Sequence, residues 1–332
     1  MATEIVTFAA SGFLGPNRTL RNLERCLDMT RHFQLVSNDV HGRELVFYAQ
    51  MMRDQRPRLI LFGGWCNLYA AMIAKLRASK IRFGVWWLST GGQTDMSAEV
   101  DRFNAALSHD RIRYFAFAHE PFADALSGHR KTVAYLPVPM DPMEFQPRPE
   151  RQSGPTILSL FCSPHEYRRK NILNTLLAVS RLEDDCILYV NGLTKATCYR
   201  RLLNTLKLRF RDLGWMSDVV YRRVLTTIDI GLQISFTESF NQVAAEHLAK
   251  SIPVLASPLV PALAALSGQD RRRLIVDSFE DPSAIANRLR WLIHHPAERH
   301  QIASRASQRL RDLTQRNMST ARRVLKAWAE AA

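Results

Sequence analysis

Residues 228–257 read IDIGLQISFTESFNQVAAEHLAKSIPVLAS, and the way this stretch is parsed decides the reading of the whole chain. Ile228 to Ile234 alternates as a strand does, Thr237 to Asn241 is a turn, Asn241 to Lys250 has helical spacing, and Val254 to Ala256 is apolar again. A strand, a helix and a second strand in so few residues form a parallel crossover. The turn then lies beyond the carboxyl end of the first strand, where open parallel sheets bind ligands. A helix starting near Asn241 points its free backbone N–H groups and the positive end of its dipole into that space, which makes a phosphate site.

Two glutamates flank this helix start, Glu238 and Glu246, with seven residues between them. Glu246 falls about five residues into the helix, roughly 7 to 8 Å from the phosphate site, where a carboxylate accepts hydrogen bonds from both hydroxyls of a ribose. Glu238, before the helix, faces the other side of the phosphates, where the hydroxyls of a sugar lie. The competing reading is one helix N-terminal charge and one solvated face charge, and the spacing alone does not decide between them.

The same rhythm extends outward in both directions. Strands are expected at Ile5–Ala9, Phe33–Val36, Leu59–Phe62, Arg82–Leu88, Tyr114–Ala118 and Val133–Leu136, with helices at Leu20–Met29, Glu44–Arg53, Leu68–Ala78 and Ala98–Leu107. LPVPMDPMEFQPRPERQSGPT (136–156) then packs six prolines and a glycine into 21 residues, which marks a linker. Further strands are expected at Thr156–Phe161, Cys186–Asn191, Leu206–Arg211 and Leu274–Val276. Helices are expected at Asn171–Arg181, Tyr199–Leu206, Asp218–Thr226, Pro282–Ile293, Glu298–Leu313 and Thr320–Ala329. The organisation is an N-terminal domain 1–147, a linker 148–155, a second domain 156–313 and a basic helix at 314–332 returning to the first domain. The fold class is α/β: two Rossmann-like domains with parallel sheets facing a central cleft.

Composition narrows the function classes. The 332 residues are 46% hydrophobic and 23% charged, a globular balance long enough for two cores. The longest apolar run, Leu59–Ala74, contains Gly63, Gly64 and Asn67 and is shorter than the roughly 20 residues that cross a bilayer. MATEIVTFAASG has Glu4 and no basic region before its apolar part, so a cytoplasmic location is expected. Five scattered cysteines without a C-x-x-C spacing exclude a disulfide framework or a zinc site. The net charge is +14, with 18 Lys+Arg against 15 Asp+Glu in residues 1–150 and 27 against 16 in the remainder. That excess implies an anionic partner: a nucleotide, an anionic membrane surface or a nucleic acid.

ESFNQVAAEHLAKSIPVLAS resembles the nucleotide-sugar signature of the group 1 family of retaining glycosyltransferases: the E-x7-E pair, Phe240 after the first acid, Ala249, and Pro253-Val254. ILSLFCSPHEYRRKN (157–171) resembles the turn that opens the family's donor domain, GWMSDVVYRRVLTTIDIGLQIS (214–235) the segment before the acids, and AYLPVPMDPMEFQP (134–147) its interdomain link. The resemblance covers roughly residues 111 to 295 and implies a GT-B fold with the donor held mainly by the second domain. Asn241 and Ser251 stand where the family has glycine. The family's arginine after the first donor-domain strand is not evident in LFCSPHEY, where His165, Arg168 or Arg169 can substitute, and its mid-domain histidine is missing from VWWLSTGGQTD.

The expected site is therefore Glu238 and Lys170 as catalytic residues, with Arg169, Ser239, Phe240, Asn241 and Glu246 binding the donor. Lys170 follows two arginines in a loop that precedes a helix, which suits a cation for the diphosphate, and a solvated basic loop is the alternative. Acceptor or sugar contacts are expected from Gly12, Phe13, Gly92, Asp95 and His119, all of which follow strands. Trp86 and Trp87 are read as core. No Asp-x-Asp motif is present to hold a metal, so neither a metal nor a cofactor is expected beyond the nucleotide-sugar substrate. On the retaining route the leaving phosphate oxygen takes the acceptor's proton, whereas inversion needs a base such as Asp95 or His119. The expected acceptor is a glycan, lipid-linked or otherwise. The alternatives are transfer to nucleic acid and an inactive nucleotide-sugar-binding protein.

Overall fold

The computed structural model describes residues 4–10, 14–35, 43–89, 97–148, 154–162 and 169–331. Two compact units emerge, Met1–Pro142 with Thr314–Ala332, and Met143–Leu313. They divide a few residues before the stretch 148–155 read as a linker.

In the first unit the described elements alternate strictly: β1 (Ile5–Ala10), α1 (Leu14–Cys26), β2 (Thr30–Leu35), α2 (Arg43–Gln55), β3 (Leu59–Gly63), α3 (Asn67–Lys75), β4 (Arg82–Trp87), α4 (Ser97–Ser108), β5 (Ile112–Phe117), α5 (Glu120–Ala125) and β6 (Thr132–Tyr135). The strands form one parallel sheet in the order β2-β1-β3-β4-β5-β6. β1 and β3 are buried along their whole length, because helices cover both faces of a parallel sheet and both side-chain sets must be apolar. An aromatic core lies on one face: Phe8, Phe62, Phe83, Trp87, Phe115 and Phe117. Trp86 is fully buried and donates its indole N–H to Leu136 O at 3.0 Å, so both tryptophans of β4 are structural.

The second unit contains β7 (Thr156–Leu160), α6 (Ile172–Val179), β8 (Cys186–Val190), α7 (Thr197–Thr205), β9 (Phe210–Asp212), α8 (Asp218–Leu225), β10 (Ile230–Gln233), α9 (Gln242–Ala249), β11 (Val254–Ala256), α10 (Gly268–Leu274), α11 (Pro282–His294) and the first part of α12 (Pro296–Glu330). Its parallel sheet runs β11-β10-β7-β8-β9. Strand order therefore reverses between β7 and β10. From β7 the chain moves toward β8 and from β10 toward β11, the switch point at whose carboxyl ends open α/β sheets carry their ligand crevice.

The first helix begins six residues earlier than expected, the short helix Glu120–Ala125 was not anticipated, and three expected elements differ in kind. Leu206–Arg211 is mostly not strand: α7 continues to Thr205, Lys207 takes φ 50°, and Leu208 N–H closes on Leu203 O at 3.1 Å, a left-handed helix end. Leu274–Val276 contributes only an isolated bridge from Ile275 to Ala256. Leu274 itself is the buried residue that ends α10, a helix whose Asp270 is gripped by Arg305 at 2.7 Å. The two helices expected at 298–313 and 320–329 are one helix, α12, because neither glycine nor proline interrupts the residues between. Its last turns belong to the first unit: Trp328 stacks on Tyr114 at 4.9 Å, and Arg82 donates to the carbonyls of Trp328 and Ala329 at 2.9 and 3.1 Å. A cation at the negative end of the helix dipole is favourable.

Candidate functional site

The crevice between β7 and β10 is lined by two loops, and each brings charge to it. Arg169 and Lys170 stand just before α6 on the first, and Glu238 stands on the second, three residues before the α9 cap at Asn241. The loops are joined through the backbone, with Phe236 N–H donating to Arg169 O at 2.7 Å, and through the Arg169 guanidinium, which donates to Thr237 O at 3.2 Å.

Glu238 is 5% exposed, and its Oε1 receives four donors. These are Lys170 Nζ at 2.5 Å, Arg169 Nη1 at 2.8 Å, Ser235 Oγ at 2.8 Å and Asn241 Nδ2 at 3.2 Å. Burial by itself raises the carboxyl pKa, but the charges of Lys170 and Arg169 and the bonds from Lys170 and Ser235 outweigh it, leaving Glu238 below its ordinary value and ionised. Removing one partner of such a buried pair leaves an uncompensated charge, which costs more than the pair itself gains. Two cations against one carboxylate leave this cluster one unit positive.

Asn241 makes the helix start possible. Its backbone is left-handed, φ 69° and ψ 79°, a region that asparagine tolerates and most residues avoid. Its Oδ1 accepts from Ala244 N–H at 3.0 Å, capping α9, while its Nδ2 donates to Glu238 and to Gln233 Oε1, the latter at 3.1 Å. Ser251 also has positive φ, 55°, at the other end of α9, where Ile252 N–H closes on His247 O at 2.9 Å. Both positions read in the sequence as replacements for glycine thus keep the backbone that glycine serves best.

The helix itself is apolar on nearly every side, and every residue from Ala244 to Ala249 is buried. Glu246, on its second turn, is 8% exposed. His247, beside it, is fully buried: its Nδ1 lies 2.7 Å from Val243 O and its Nε2 2.8 Å from Ser159 Oγ on β7. A carbonyl only accepts, so Nδ1 carries the proton and Nε2 accepts from the serine. Burial pushes this imidazole down to about 4, with the charge of Arg148 adding to the effect, so it is neutral. Gly231 on β10 leaves room for the ring; a Cβ there would meet His247 Cδ2 at 2.8 Å. His247, Ser159 and Gly231 set the height of α9 over the sheet, and therefore the height of Glu246.

Of the other residues expected at the site, Phe240 is buried with its carbonyl bonded to Ala262 N–H at 3.0 Å, and Ser239 is half-buried. His119 follows β5 in the first unit as the residue before α5, half-buried, with its Nδ1 enclosed and without a hydrogen-bond partner among the described residues. Gly12, Phe13, Gly92 and Asp95 lie outside the described residues, as do His165 and Arg168. Sequence reasoning missed Gln233 and Ser235. The signal for Gln233 was an amide inside the buried apolar strand Ile230–Gln233, and a buried polar side chain needs partners. Among the described residues, no three His, Cys, Asp or Glu side chains gather as a metal site would require. Among the described residues, no helix is long and apolar enough to cross a membrane.

Comparison with known proteins extends these observations. The family described as glycosyl transferases group 1 matches residues 147–309, which include every element of the β7–β10 crevice. No curated protein matches the sequence. Among solved structures, sucrose-phosphate synthase from Thermosynechococcus elongatus superposes with a TM-score of 0.73 at 14% identity, over 99% of this chain and 100% of its own. HepE from Anabaena, in complex with UDP and glucose, gives 0.72 at 12% identity, over 99% and 100% of the two chains. A glycosyltransferase from Rickettsia africae gives 0.70 at 12% identity, over 99% of each. At such identities the structural likeness speaks for the fold, and the family match speaks for the chemistry. With its crevice inside residues 147–309, the part that matches the group 1 glycosyltransferases, this chain is a glycosyltransferase of the GT-B fold, built from two Rossmann-like α/β domains.

Proposed function

We propose that the chain transfers a sugar from a nucleotide-sugar donor, a UDP-sugar in the first instance, to an acceptor hydroxyl, with retention and without a metal. The observation that carries this is the buried cluster of Arg169 and Lys170 around Glu238 at the reversal of strand order, beside the N-terminus of α9. Breaking a sugar–phosphate bond leaves a diphosphate on which negative charge grows, and two fixed cations with a helix N-terminus stabilise that charge without reorganising. The diphosphate sits against Lys170, Arg169 and the first turn of α9. Glu246 takes the ribose hydroxyls, and Glu238, held ionised, takes hydroxyls of the transferred sugar. The leaving phosphate oxygen removes the acceptor's proton on the same face, so no protein base is needed. The structures of HepE with UDP and with UDP-glucose support uridine as the first base to test.

For the acceptor we favour a glycan, lipid-linked or otherwise, met at the inner membrane face. Arg316, Arg322, Arg323 and Lys326 are exposed along the end of α12, a cationic stretch suited to anionic headgroups. Co-sedimentation with phosphatidylglycerol vesicles supports that reading; transfer to DNA or RNA supports the nucleic-acid alternative.

The test is a thermal-shift panel of UDP-, GDP- and ADP-sugars with and without EDTA, followed by NMR of the anomeric product. A donor at about 100 times its Kd stabilises the folded state by about 2.7 kcal/mol. The expected result is one donor that raises the melting temperature equally with EDTA, is slowly hydrolysed with its anomeric configuration kept, and is not hydrolysed by Glu238→Ala. A panel in which no nucleotide or nucleotide sugar shifts the transition overturns the proposal. Binding without any hydrolysis identifies an inactive binding protein.

A further inference from the structure

We propose that Gln233 is a positioning residue for Lys170 and Asn241: an uncharged acceptor that aims both groups at the diphosphate without cancelling the positive charge it meets. This rests on the donor-site reading above.

Gln233 ends β10 and is 2% exposed. Its Nε2 donates to Phe161 O at 3.0 Å, just past the end of β7. Because that carbonyl can only accept, the amide orientation is fixed, and Oε1 is the atom left to face the donors on the other side. Two donors meet it, Lys170 Nζ at 3.3 Å and Asn241 Nδ2 at 3.1 Å. One side chain thus ties together the three parts that separate at the crevice: the end of β7, the cation of its loop, and the cap of α9. Without it, Lys170 is held by Glu238 alone, and an ammonium on a four-carbon stem swings about a single acceptor.

The choice of an amide follows from charge. Arg169 and Lys170 against Glu238 leave one unit positive. A second carboxylate at 233 would hold Lys170 more tightly and would reduce the net charge to zero, removing the attraction for a diphosphate. It would also lose the donor to Phe161 O and set two carboxylates around one ammonium. An apolar side chain of equal size would keep the packing and lose both acceptor bonds. The amide alone satisfies position and charge together.

The test compares wild type with Gln233→Glu and Gln233→Met by isothermal titration calorimetry. The probes are UDP, GDP and ADP and the corresponding nucleosides, uridine, guanosine and adenosine, with circular dichroism to verify folding. In both variants the diphosphate that wild type binds should weaken by about tenfold or more, the scale of one hydrogen bond to a charged group, while its nucleoside changes less than about twofold. The salt dependence of diphosphate binding should flatten in Gln233→Glu and persist in Gln233→Met. Equal losses for diphosphate and nucleoside would mean a purely structural role and overturn the proposal, as would unchanged diphosphate binding in either folded variant. If Gln233→Glu does not fold, Gln233→Met decides. If wild type binds none of the three diphosphates, the donor-site reading itself falls and this proposal falls with it.

Discussion

Asn241 and Ser251 take left-handed backbone, at φ 69° and 55°, yet they bear very different loads. The Asn241 side chain caps Ala244 and donates to both Glu238 and Gln233, whereas Ser251 only closes the C-terminal end of α9. Glycine should therefore act oppositely at the two sites. Ser251→Gly relieves the strain of a left-handed L-residue and should stabilise the protein by about 1 kcal/mol, read as a higher urea midpoint with activity unchanged. Asn241→Gly gains the same relief but strips two bonds from the Glu238–Gln233 cluster, so its net stability should change little while donor turnover falls by about tenfold. Matching effects from the two substitutions would show that the Asn241 side chain does nothing at the site. The sequence marked both positions as departures from glycine, but it gave no way to see that one of them carries a polar network.

At the scale of elements, the height of α9 is set from below by a contact that uses no charged residue. Gly231 on β10 faces the His247 ring, and an added Cβ would come within 2.8 Å of Cδ2 and 3.2 Å of Cγ. Neither can move freely, since His247 is bonded to Val243 O and Ser159 Oγ. Gly231→Ala should lift α9, costing about 1–3 kcal/mol of stability and raising the KM for the donor more than it lowers kcat, because Glu246 moves with the helix. A crystal structure of the variant with α9 unshifted, together with an unchanged KM, would refute this. The helix and both strands were readable from apolar spacing alone. The reason His247 faces the sheet was not, because a histidine in a helix next to a glutamate reads equally well as surface.

At the scale of the whole molecule, each unit holds a histidine that folds neutral, half-buried in the first and fully buried in the second. His32 in the first unit is pushed down to about 4, mainly by burial and then by the charge of Arg21, while it touches Thr7 Oγ1 and Asn17 Oδ1. His247 in the second unit is pushed down to about 4 by burial. In the unfolded chain both titrate near 6.5, so as pH falls from about 6.5 to about 4 the unfolded state takes up protons that the folded state refuses. The stabilisation is complete above that window and is lost through it, to the extent of about 3 kcal/mol for the fully buried His247. Glu238, held below its ordinary value of 4.5, adds a further loss that begins as pH falls through that value, where the unfolded carboxylate takes up a proton that the folded one refuses. Urea midpoints between pH 7 and 4 should fall steadily, and His32→Gln and His247→Gln should each remove part of the slope. A slope untouched by both would place the titration elsewhere.

The alternation of short apolar strands with amphipathic segments determined the α/β class and most strands of both sheets, because parallel strands covered on two faces must be apolar throughout. The strand–turn–helix of 228–250 determined where the candidate site is expected, since a chain leaving a parallel strand turns at its carboxyl edge. Leu206–Arg211 and Leu274–Val276 misread as strands because a few apolar residues fit a helix end as well as a strand, and only packing separates the two. The sequence also set Lys170 and Glu238 in loops 68 residues apart in the chain. Only the tertiary structure decided that they meet at 2.5 Å, with Arg169, Asn241 and Gln233 around them. Strand order is what brings them together: β7 and β10 are neighbours in the sheet although two strands and three helices lie between them in sequence. Spacing along a chain carries the period of each element, but not which elements become neighbours.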